Sequence, residues 1–444
     1  MVPALVLILA TALLQSPAAA AQAPDARAHA RATLSAIAAG EFGKVEADFT
    51  SQMQKALPPG RLEAMWAALQ ARAGAFKSCD TEARVAKIAD KEMVITPCGF
   101  ERATIDVQFA FDAAGRISGL VFRPVSSAAS AYTLPSYAKA SAYNESEKTI
   151  GSADWPLPGT LTLPAGARSA PAVVLVHGSG PNDRDETIGG NKPFKDLATG
   201  LASRGVAVLR YEKRSRVHAG RMAGVTGFTV QDEVIDDVLE AVKALRSEPG
   251  IDKARVFVLG HSLGAMLAPR IWMADPSIAG VIVLAGPARP VQDAIVAQSR
   301  YLVAADGTTS PEEQRALDDT EALARRVRAL QPEDAKSGAM IAGVPASYWL
   351  DLRGYDPTAA ATKVKAPMLI MQGERDYQVN MEEFAQWKTA LGARRDVTFR
   401  SYPPLNHLFI AGSGPSLPAE YQVPGHVAEE VIVDIASWIQ AQRQ

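Results

Sequence analysis

Cysteine, net charge and long apolar runs are all scarce in this chain. Its 444 residues include two cysteines and carry a formal net charge of −2. Because charges of both signs are mixed along the chain, its composition does not favour binding to nucleic acid or to an anionic membrane. No stretch after the first residues is long enough for stable membrane insertion, and no glycine-containing loop has phosphate-binding spacing. The chain is 48% apolar and longer than one ordinary domain, so it can bury sizeable cores, and its expected partner is a small molecule.

The N-terminus has a composition of its own. Residues 4–14 are apolar, and residues 18–21 are all alanine. This order predicts a signal peptide over residues 1–21, cleaved after residue 20 or 21, and hence a periplasmic or secreted protein. No Lys or Arg precedes the apolar stretch, and no cysteine precedes Cys79, which excludes a lipid-modified N-terminal cysteine. A retained membrane anchor is the alternative, although the stretch is short for a span.

Both cysteines, Cys79 and Cys98, lie in the N-terminal third of the chain. In an oxidising compartment we expect them to form a disulfide across neighbouring strands. Two unrelated buried thiols are the alternative. Neither cysteine has a histidine or aspartate setting that indicates a nucleophile or a metal ligand.

The first third of the sequence changes from helical to strand periodicity. The helical stretches are 30–39 and 60–69, and the strand-like stretches are 93–96, 104–111 and 117–122. Helices followed by an antiparallel sheet predict a small α+β domain over residues 25–125. Its layout resembles a SnoaL-like cone. A stretch rich in Ser, Ala and Pro, residues 126–142, then predicts a linker.

Continuous apolar runs separated by helical stretches dominate the remaining sequence. The runs are 172–176, 206–209, 256–259, 281–284 and 368–371. Such runs indicate parallel strands covered on both faces, and we predict a doubly wound α/β domain over residues 143–444. One helix is expected over residues 230–246 after an N-cap at Thr229. The long segment 288–358 predicts a helical cap over the carboxyl ends of the strands.

The pentapeptide Gly-His-Ser-Leu-Gly at residues 260–264 lies between an apolar strand and a helical stretch. The G-x-S-x-G nucleophile elbow requires this context, and its glycines avoid collisions at the sharp turn. We therefore predict that Ser262 is a catalytic nucleophile. The backbone N–H of Leu263, directly after it, is the first expected donor of an oxyanion hole.

A serine nucleophile needs a base that an acid orients, and on this fold the acid precedes the base. Asp376 follows the strand at 368–371 and is the expected acid, with Glu374 as its rival. His407 follows the next strand and is the expected base, whereas His426 is interpreted as a surface residue at the start of the final helix. The four remaining histidines all precede the acid: His29, His177, His218 and His261.

The loop at residues 177–181, His-Gly-Ser-Gly-Pro, follows the first strand of the α/β core. It is similar to an H-G-G-G oxyanion segment, and Ser179 is the second expected donor. His177 is interpreted as a structural ring that packs the loop. At the end of the cap, Tyr348 and Trp349 are candidates for lining the acyl pocket, with core packing as the alternative.

Three acidic residues follow this loop closely: Asp183, Asp185 and Glu186. Carboxylates in a loop commonly form Asx turns and ion pairs, and this role is favoured over metal binding. The sequence therefore predicts neither a metal nor a cofactor.

Longer segments resemble bacterial α/β-hydrolase carboxylesterases of the EstD type. The resemblance begins near residue 143, continues to the C-terminus, and is carried by residues 177–187, 191–198, 209–214, 372–377 and 405–407. It implies an α/β-hydrolase fold, a small N-terminal domain of unknown function, and a cofactor-free esterase acting on short acyl esters. One position departs from the expected pattern, because Glu212 stands in place of Asp.

The function expected from these observations is that of a serine carboxylesterase. A peptidase of the prolyl oligopeptidase type shares this triad and fold, but no clear pair of acidic residues is available to bind a peptide amino terminus. A non-catalytic binding protein is the third possibility, and the complete set of triad residues argues against it.

Overall fold

The structure of the protein is a computed structural model that describes residues 25–80, 83–88, 91–101, 103–112, 114–125, 132–222, 224–305 and 307–442. The predicted signal peptide lies outside these residues. The chain divides into two compact units, one ending at Ala128 and one beginning at Ala129. Within the described ranges, no helix is both long and apolar enough to cross a membrane.

Helices and an antiparallel sheet form the N-terminal unit, which confirms the predicted α+β architecture. The helices are α1 (Ala26–Ala38), α2 (Phe42–Ala47), α3 (Ser51–Ala56) and α4 (Arg61–Ala73), and the strands are β1 (Phe76–Cys79), β2 (Arg84–Ile88), β3 (Lys91–Phe100), β4 (Thr104–Phe111) and β5 (Ile117–Val125). The strand order is β1-β3-β4-β5, and β2 also pairs with β3. One core joins Ile37 and Trp66 of the helices to Val94 and Phe109 of the sheet.

The predicted disulfide is present in the N-terminal unit. Cys79 and Cys98 lie directly opposite each other on the antiparallel strands β1 and β3. Side chains at facing positions of an antiparallel pair are close neighbours. The strand register therefore brings the two sulfurs together.

The C-terminal unit is built on an eight-stranded sheet. The strands of this unit, including two outside the large sheet, are β6 (Tyr143–Ile150), β7 (Leu157–Pro164), β8 (Ala170–Val176), β9 (Ala207–Tyr211), β10 (Ile251–His261), β11 (Val281–Leu284), β12 (Met340–Ile341), β13 (Val344–Pro345), β14 (Met368–Gly373) and β15 (Val397–Tyr402). The sheet order is β15-β14-β11-β10-β8-β9-β7-β6, while β12 and β13 form a separate hairpin. The β6–β7 and β7–β9 pairs at one edge are antiparallel, and the other neighbouring pairs are parallel.

Helices of the C-terminal unit lie along both faces of the sheet and in the segment between β11 and β14. They are α5 (Pro193–Ala202), α6 (Arg214–Val217), α7 (Ala219–Met222), α8 (Asp236–Ser247), α9 (Leu263–Ala274), α10 (Val291–Ala304), α11 (Pro311–Ala329), α12 (Ala346–Arg353), α13 (Pro357–Ala361), α14 (Met381–Leu391) and α15 (Glu429–Ala441). Alternate residues of β8 enter different cores, since Val174 packs with α8 and α9 whereas Val173 packs with α5 and α15. Burial on both faces explains why the strand sequence is apolar without interruption.

The helix expected over residues 230–246 differs at its start. A π-helical turn, Gln231–Ile235, precedes α8. The Thr229 hydroxyl accepts a hydrogen bond from the Gln231 N–H at 3.2 Å, and the Asp232 carboxylate accepts one from the Thr229 N–H at 2.8 Å. These bonds satisfy donors at the start of the helical segment, as an N-cap does.

The insertion between β11 and β14 contains α10, α11, the β12–β13 hairpin and α12. Helix α11 begins with a capping box in which Ser310 and Glu313 bond each other's backbone. Val327, Ile341 and Trp349 form a small core of the insertion. The insertion is thus a folded subdomain with its own apolar centre.

The stretch expected to be a linker packs on the C-terminal unit over its described part, residues 132–142. The Tyr132 hydroxyl donates to Asp196 at 2.7 Å, and the Tyr137 hydroxyl donates to the Val427 carbonyl at 2.7 Å. Tyrosines can bury a ring and still bond through the hydroxyl. This part of the chain is therefore fixed to the domain, which its Ser- and Ala-rich composition did not indicate.

Candidate active site

Ser262 alone makes the turn between β10 and α9. Its backbone has φ 53° and ψ −117°, a conformation that residues with a side chain rarely adopt. A Cβ atom at Gly260 would lie 2.2 Å from the Gly264 carbonyl oxygen, and one at Gly264 would lie 2.3 Å from the last carbonyl of β8. Larger residues would therefore collide at both positions, as the elbow geometry requires.

His407 and Asp376 form a buried pair at the carboxyl ends of the strands. His407 Nδ1 lies 2.6 Å from Asp376 Oδ2, so the ring donates this nitrogen's proton to the carboxylate. Asp376 Oδ1 accepts from the amides of Gln378 and Val379 at 2.8 and 3.0 Å, and Oδ2 also accepts from the Gln372 side chain at 3.1 Å. Asp376 is thus fixed from both sides, and Nε2 is the ring nitrogen of His407 that remains for the expected role as base.

The two rival residues lie in other environments. Glu374 accepts a hydrogen bond from the Ser401 hydroxyl at 2.8 Å on the exposed side of the loop. His426 Nδ1 lies 3.1 Å from Asp196 Oδ1, and its ring contacts Tyr132. His426 also comes three residues before α15 begins, so it is not the first residue of that helix. Neither residue contacts the His407–Asp376 pair.

His261, the residue before Ser262, joins the loop that carries His407 to the turn at Ser262. Its Nε2 donates to the His407 carbonyl oxygen at 3.0 Å, and the two imidazole rings are 4.6 Å apart. Its Nδ1 forms an ion pair of 2.9 Å with Glu186. The loop that carries His407 is thereby held against His261, the residue before Ser262.

The His261–Glu186 pair is fully buried, and each partner supports the charge of the other. Burial alone would lower the pKa of His261, but the Glu186 carboxylate raises it, and the net pKa is above the ordinary value. Burial alone would raise the pKa of Glu186, but the His261 charge lowers it below the ordinary value. A buried imidazole–carboxylate pair, in which each partner favours the charged form of the other, therefore lies next to Ser262 in the chain.

The expected oxyanion loop follows β8 and lies against the nucleophile. His177 is buried between the rings of Phe194 and Tyr211, and burial lowers its pKa to about 4. It is a neutral packing ring at neutral pH. The Gly178 N–H donates to Glu186 Oε1 at 2.6 Å, and a Cβ atom at Gly178 would lie 3.2 Å from the Ser262 Cβ.

A second buried ion pair lies next to this loop. Lys213 Nζ donates to the Gly178 carbonyl oxygen at 2.9 Å and lies 3.5 Å from Glu233. Burial raises the pKa of Glu233, but the Lys213 charge lowers it more, and the net pKa is below the ordinary value. Glu233 also accepts a hydrogen bond of 2.6 Å from the Tyr348 hydroxyl of α12.

A cavity of about 700 Å³ opens beside Ser262. Both expected oxyanion donors, Ser179 and Leu263, line it together with Ser262. Tyr348 and Trp349 also line it, but both are buried and bonded, since the Trp349 indole donates to the Ile341 carbonyl at 2.9 Å. Both side chains therefore line the cavity and also pack in a core, Trp349 in the core of the insertion and Tyr348 in the core on one face of the sheet.

The acidic loop after the oxyanion segment forms turns and ion pairs. Asp183 Oδ1 accepts from the amides of Asp185 and Thr187 at 3.2 and 2.9 Å, which is an Asx turn. Asp185 pairs with Lys192 at 2.8 Å and with buried Arg210. Across the described ranges, no group of three or more His, Cys, Asp or Glu side chains has the arrangement of a metal site.

Comparison with known proteins assigns both units to families. A family described as "Protein of unknown function (DUF3887)" matches residues 30–120, and one described as "Serine aminopeptidase, S33" matches residues 168–412. Esterase EstD of Thermotoga maritima is 39% identical over 391 residues, which cover 88% of this chain and 89% of that protein.

Solved structures of esterases are also similar at low identity. A Pyrococcus furiosus esterase has a TM-score of 0.43 and 16% identity, covering 68% of this chain and 93% of that chain. Est1E from Butyrivibrio proteoclasticus also has a TM-score of 0.43 and 16% identity, covering 67% of this chain and 98% of that chain.

The mostly parallel sheet, its helices and the matching hydrolase family define an α/β-hydrolase, and the enzyme is a carboxylic ester hydrolase. The fold predicted from the sequence is confirmed. More narrowly, the chain belongs to the EstD esterase family and to the broader serine aminopeptidase S33 family of hydrolases.

Sequence reasoning did not assign a role at the site to Glu186, Lys213 or Glu233. Glu186 was grouped with its acidic neighbours, although it is the member of that group with a left-handed backbone, φ 51°, and a buried carboxylate. Lys213 could have been noticed because it follows a strand closely and lies within residues 209–214, one of the segments that carry the resemblance to the EstD type. The neighbouring Glu212, which departs from the family pattern, accepts a hydrogen bond from Arg184 at 2.9 Å.

Proposed function

We propose that the protein is a serine carboxylesterase that hydrolyses short-chain acyl esters through an acyl-enzyme, with Ser262, His407 and Asp376 as its triad. The observation that carries the proposal is the strained elbow at Ser262 beside a buried His407–Asp376 pair whose bond length is 2.6 Å. The geometry agrees with the order of nucleophile, acid and base on this fold.

In this mechanism the Ser262 hydroxyl attacks the ester carbonyl carbon while His407 Nε2 takes its proton. The carbonyl oxygen becomes negative and accepts hydrogen bonds from the Leu263 and Ser179 amides. His407 then gives the proton to the departing alcohol, which leaves an ester on Ser262. A water molecule, deprotonated by the same imidazole, then attacks that ester, and the imidazole returns this proton to Ser262 Oγ as the acid is released. Asp376 keeps the Nδ1 proton in place throughout.

The walls of the cavity support a preference for small acyl groups. Its volume of about 700 Å³ is shared between the acyl and alcohol parts of the ester. The walls near the insertion are made of side chains that cannot move freely, because Tyr348 and Trp349 are both bonded to buried partners. We expect the turnover of longer acyl chains to fall as they meet these walls.

Membership of the serine aminopeptidase S33 family makes an aminopeptidase the second candidate to test. A peptide substrate would need a free carboxylate to bind its amino terminus. Glu233 is an acidic residue in the cavity wall, and it is already bonded to Lys213 and Tyr348. This pairing supports the esterase over the peptidase.

Labelling by a fluorophosphonate probe tests the proposal. The wild-type protein should be labelled on Ser262 and hydrolyse p-nitrophenyl butyrate, and Ser262→Ala should do neither. Aminoacyl p-nitroanilides should be poor substrates. Ester hydrolysis that persists in Ser262→Ala would refute the mechanism, and a faster anilide than ester would favour the peptidase. A wild-type protein that is neither labelled nor active on esters would support a non-catalytic binding role.

We further propose that the protein is exported, with its mature chain beginning at Ala21 or Gln22. The small-residue run before this point supports cleavage, and a disulfide is compatible with an oxidising compartment. N-terminal sequencing of the protein from its native host tests this. Retention of Met1 would contradict it.

A further inference from the structure

Lys213 is a buried lysine that bonds the expected oxyanion loop twice. Its side chain is 3% exposed, and Nζ donates to the Gly178 carbonyl oxygen at 2.9 Å. Its backbone N–H donates to the carbonyl of Asn182, at the end of the same loop, at 3.2 Å. A charged donor is rarely buried without a specific partner, because its desolvation is costly. Here the partners are a backbone oxygen and Glu233.

The bond to Gly178 determines the direction of the next amide. The Gly178 carbonyl and the Ser179 N–H belong to one planar trans peptide, so they point in opposite directions. A donor that fixes the oxygen on one side therefore fixes the N–H on the other. Glu186 holds the preceding peptide in the same way, through the Gly178 N–H at 2.6 Å.

We propose that Lys213 is a positioning residue for the oxyanion hole, because its ammonium group orients and polarises the Gly178–Ser179 peptide. A positive charge on the carbonyl oxygen withdraws electron density from the peptide and makes the Ser179 N–H a stronger donor. This inference rests on the proposed esterase mechanism. The ester oxygen becomes fully negative only during attack, so the benefit belongs to the transition state and to kcat rather than to KM.

Glu233 balances the lysine charge in the cavity wall. Replacing Lys213 alone would leave this buried carboxylate with Tyr348 and without its cation. Such a change is destabilising in itself. The double variant Lys213→Met and Glu233→Gln removes both charges, so it separates the loss of the Gly178 contact from the cost of an unpaired charge.

The experiment compares Lys213→Met, the double variant and Lys148→Met. Lys148 is the matched control. It also forms an ion pair, in which Nζ lies 2.7 Å from Glu248, and this pair is not part of the site. For each variant, kcat and KM are measured with p-nitrophenyl butyrate. The inhibition constant of a boronic acid, which forms a tetrahedral adduct with the nucleophile, is measured in parallel, and thermal unfolding records the folded state.

Loss of an oxyanion donor itself lowers kcat by about 100- to 1,000-fold, so loss of its positioning residue should lower kcat by about 10- to 100-fold in both Lys213 variants. KM should change little, and the boronic acid should bind more weakly by the same factor as kcat/KM. Lys148→Met should behave as wild type.

A double variant with wild-type kcat would overturn the inference. So would a loss of kcat without a parallel loss of boronic acid affinity, or a double variant that does not fold. Ser262→Ala keeps the two proposals apart. If Ser262→Ala remains active, the esterase mechanism itself fails. If it is inactive while the double variant has normal kcat, only the role of Lys213 fails.

Discussion

At the residue scale, the hydrogen-bond partners of each histidine distinguish between roles that the sequence alone could only rank by preference. His407 was selected by its position after the acid, and the structure gives it a buried carboxylate partner at 2.6 Å. The fixed tautomer of His407 follows from that contact. The ion pair between His261 and Glu186 was not predictable, because it joins a loop residue to the end of a strand 75 residues later in the chain. Local spacing carries no information about such contacts.

Substitution of the two late histidines tests the assignment of the base. We expect His407→Ala to lower kcat by about 10,000-fold or more, as loss of a triad base does in other serine hydrolases. His426→Ala should stay close to wild type, because its partner Asp196 lies outside the site. Steady-state kinetics with p-nitrophenyl butyrate provides the measurement. An inactive His426→Ala beside an active His407→Ala would reverse the assignment.

The His261–Glu186 pair should make stability depend on pH. The pKa of His261 is raised above its ordinary 6.5, so its stabilising effect is complete below pH 6.5 and is lost as pH rises through the raised pKa. The pKa of Glu186 is lowered below 4.5, so its contribution is retained above pH 4.5. Wild type should therefore exceed Glu186→Gln in unfolding free energy most at about pH 5 to 6.5.

Urea unfolding of both proteins between pH 5 and about pH 9 measures this difference. Gln still accepts a bond from the Gly178 amide, so the substitution mainly removes the charge. Glu374→Gln is the control, because that carboxylate accepts a hydrogen bond from the Ser401 hydroxyl on the exposed side of its loop. A difference that stays constant or grows toward alkaline pH would contradict the ion-pair account.

At the scale of elements, apolar strands with two buried faces were the most predictable parts. Strand β8 reads as a continuous apolar run, and its residues enter cores on both sides of the sheet. Strand β6 was not predicted, because most of its residues are polar and exposed at the sheet edge. The cap was predicted from its length, but its helix bounds depend on tertiary packing. Its capping box at Ser310 was a local signal that remained unused.

Truncating a wall of the cavity should change acyl preference. Trp349→Ala would remove a large side chain from the boundary between the cavity and the insertion's core. We expect kcat/KM for hexanoate relative to butyrate to rise by about 10-fold or more, since hexanoate is longer by two methylene groups and each is worth roughly 1–3 kcal/mol in a pocket. Met273→Ala, at an exposed position of α9, is the control. An unchanged ratio would show that this side chain does not limit the acyl group.

At the scale of the whole molecule, the two units match two separate families, and each has its own core. Composition and periodicity were enough to separate a helix-then-sheet unit from a strand–helix alternation. They could not reveal that residues 132–142 pack on the hydrolase, because the contacts of Tyr132 and Tyr137 reach partners 64 and 290 residues away. Long-range contacts of single side chains leave little trace in composition.

The disulfide should stabilise the N-terminal unit without affecting catalysis. Cys79 and Cys98 close a loop with a sequence separation of 19, and cross-linking a loop of this size contributes about 3 kcal/mol. Replacing both cysteines by serine should lower the unfolding transition of this unit in calorimetry. The transition of the hydrolase unit and kcat on p-nitrophenyl butyrate should stay at wild-type values, since neither cysteine contributes to the Ser262 site. A large loss of kcat in the folded variant would contradict this independence, and an unchanged first transition would show that the disulfide contributes little.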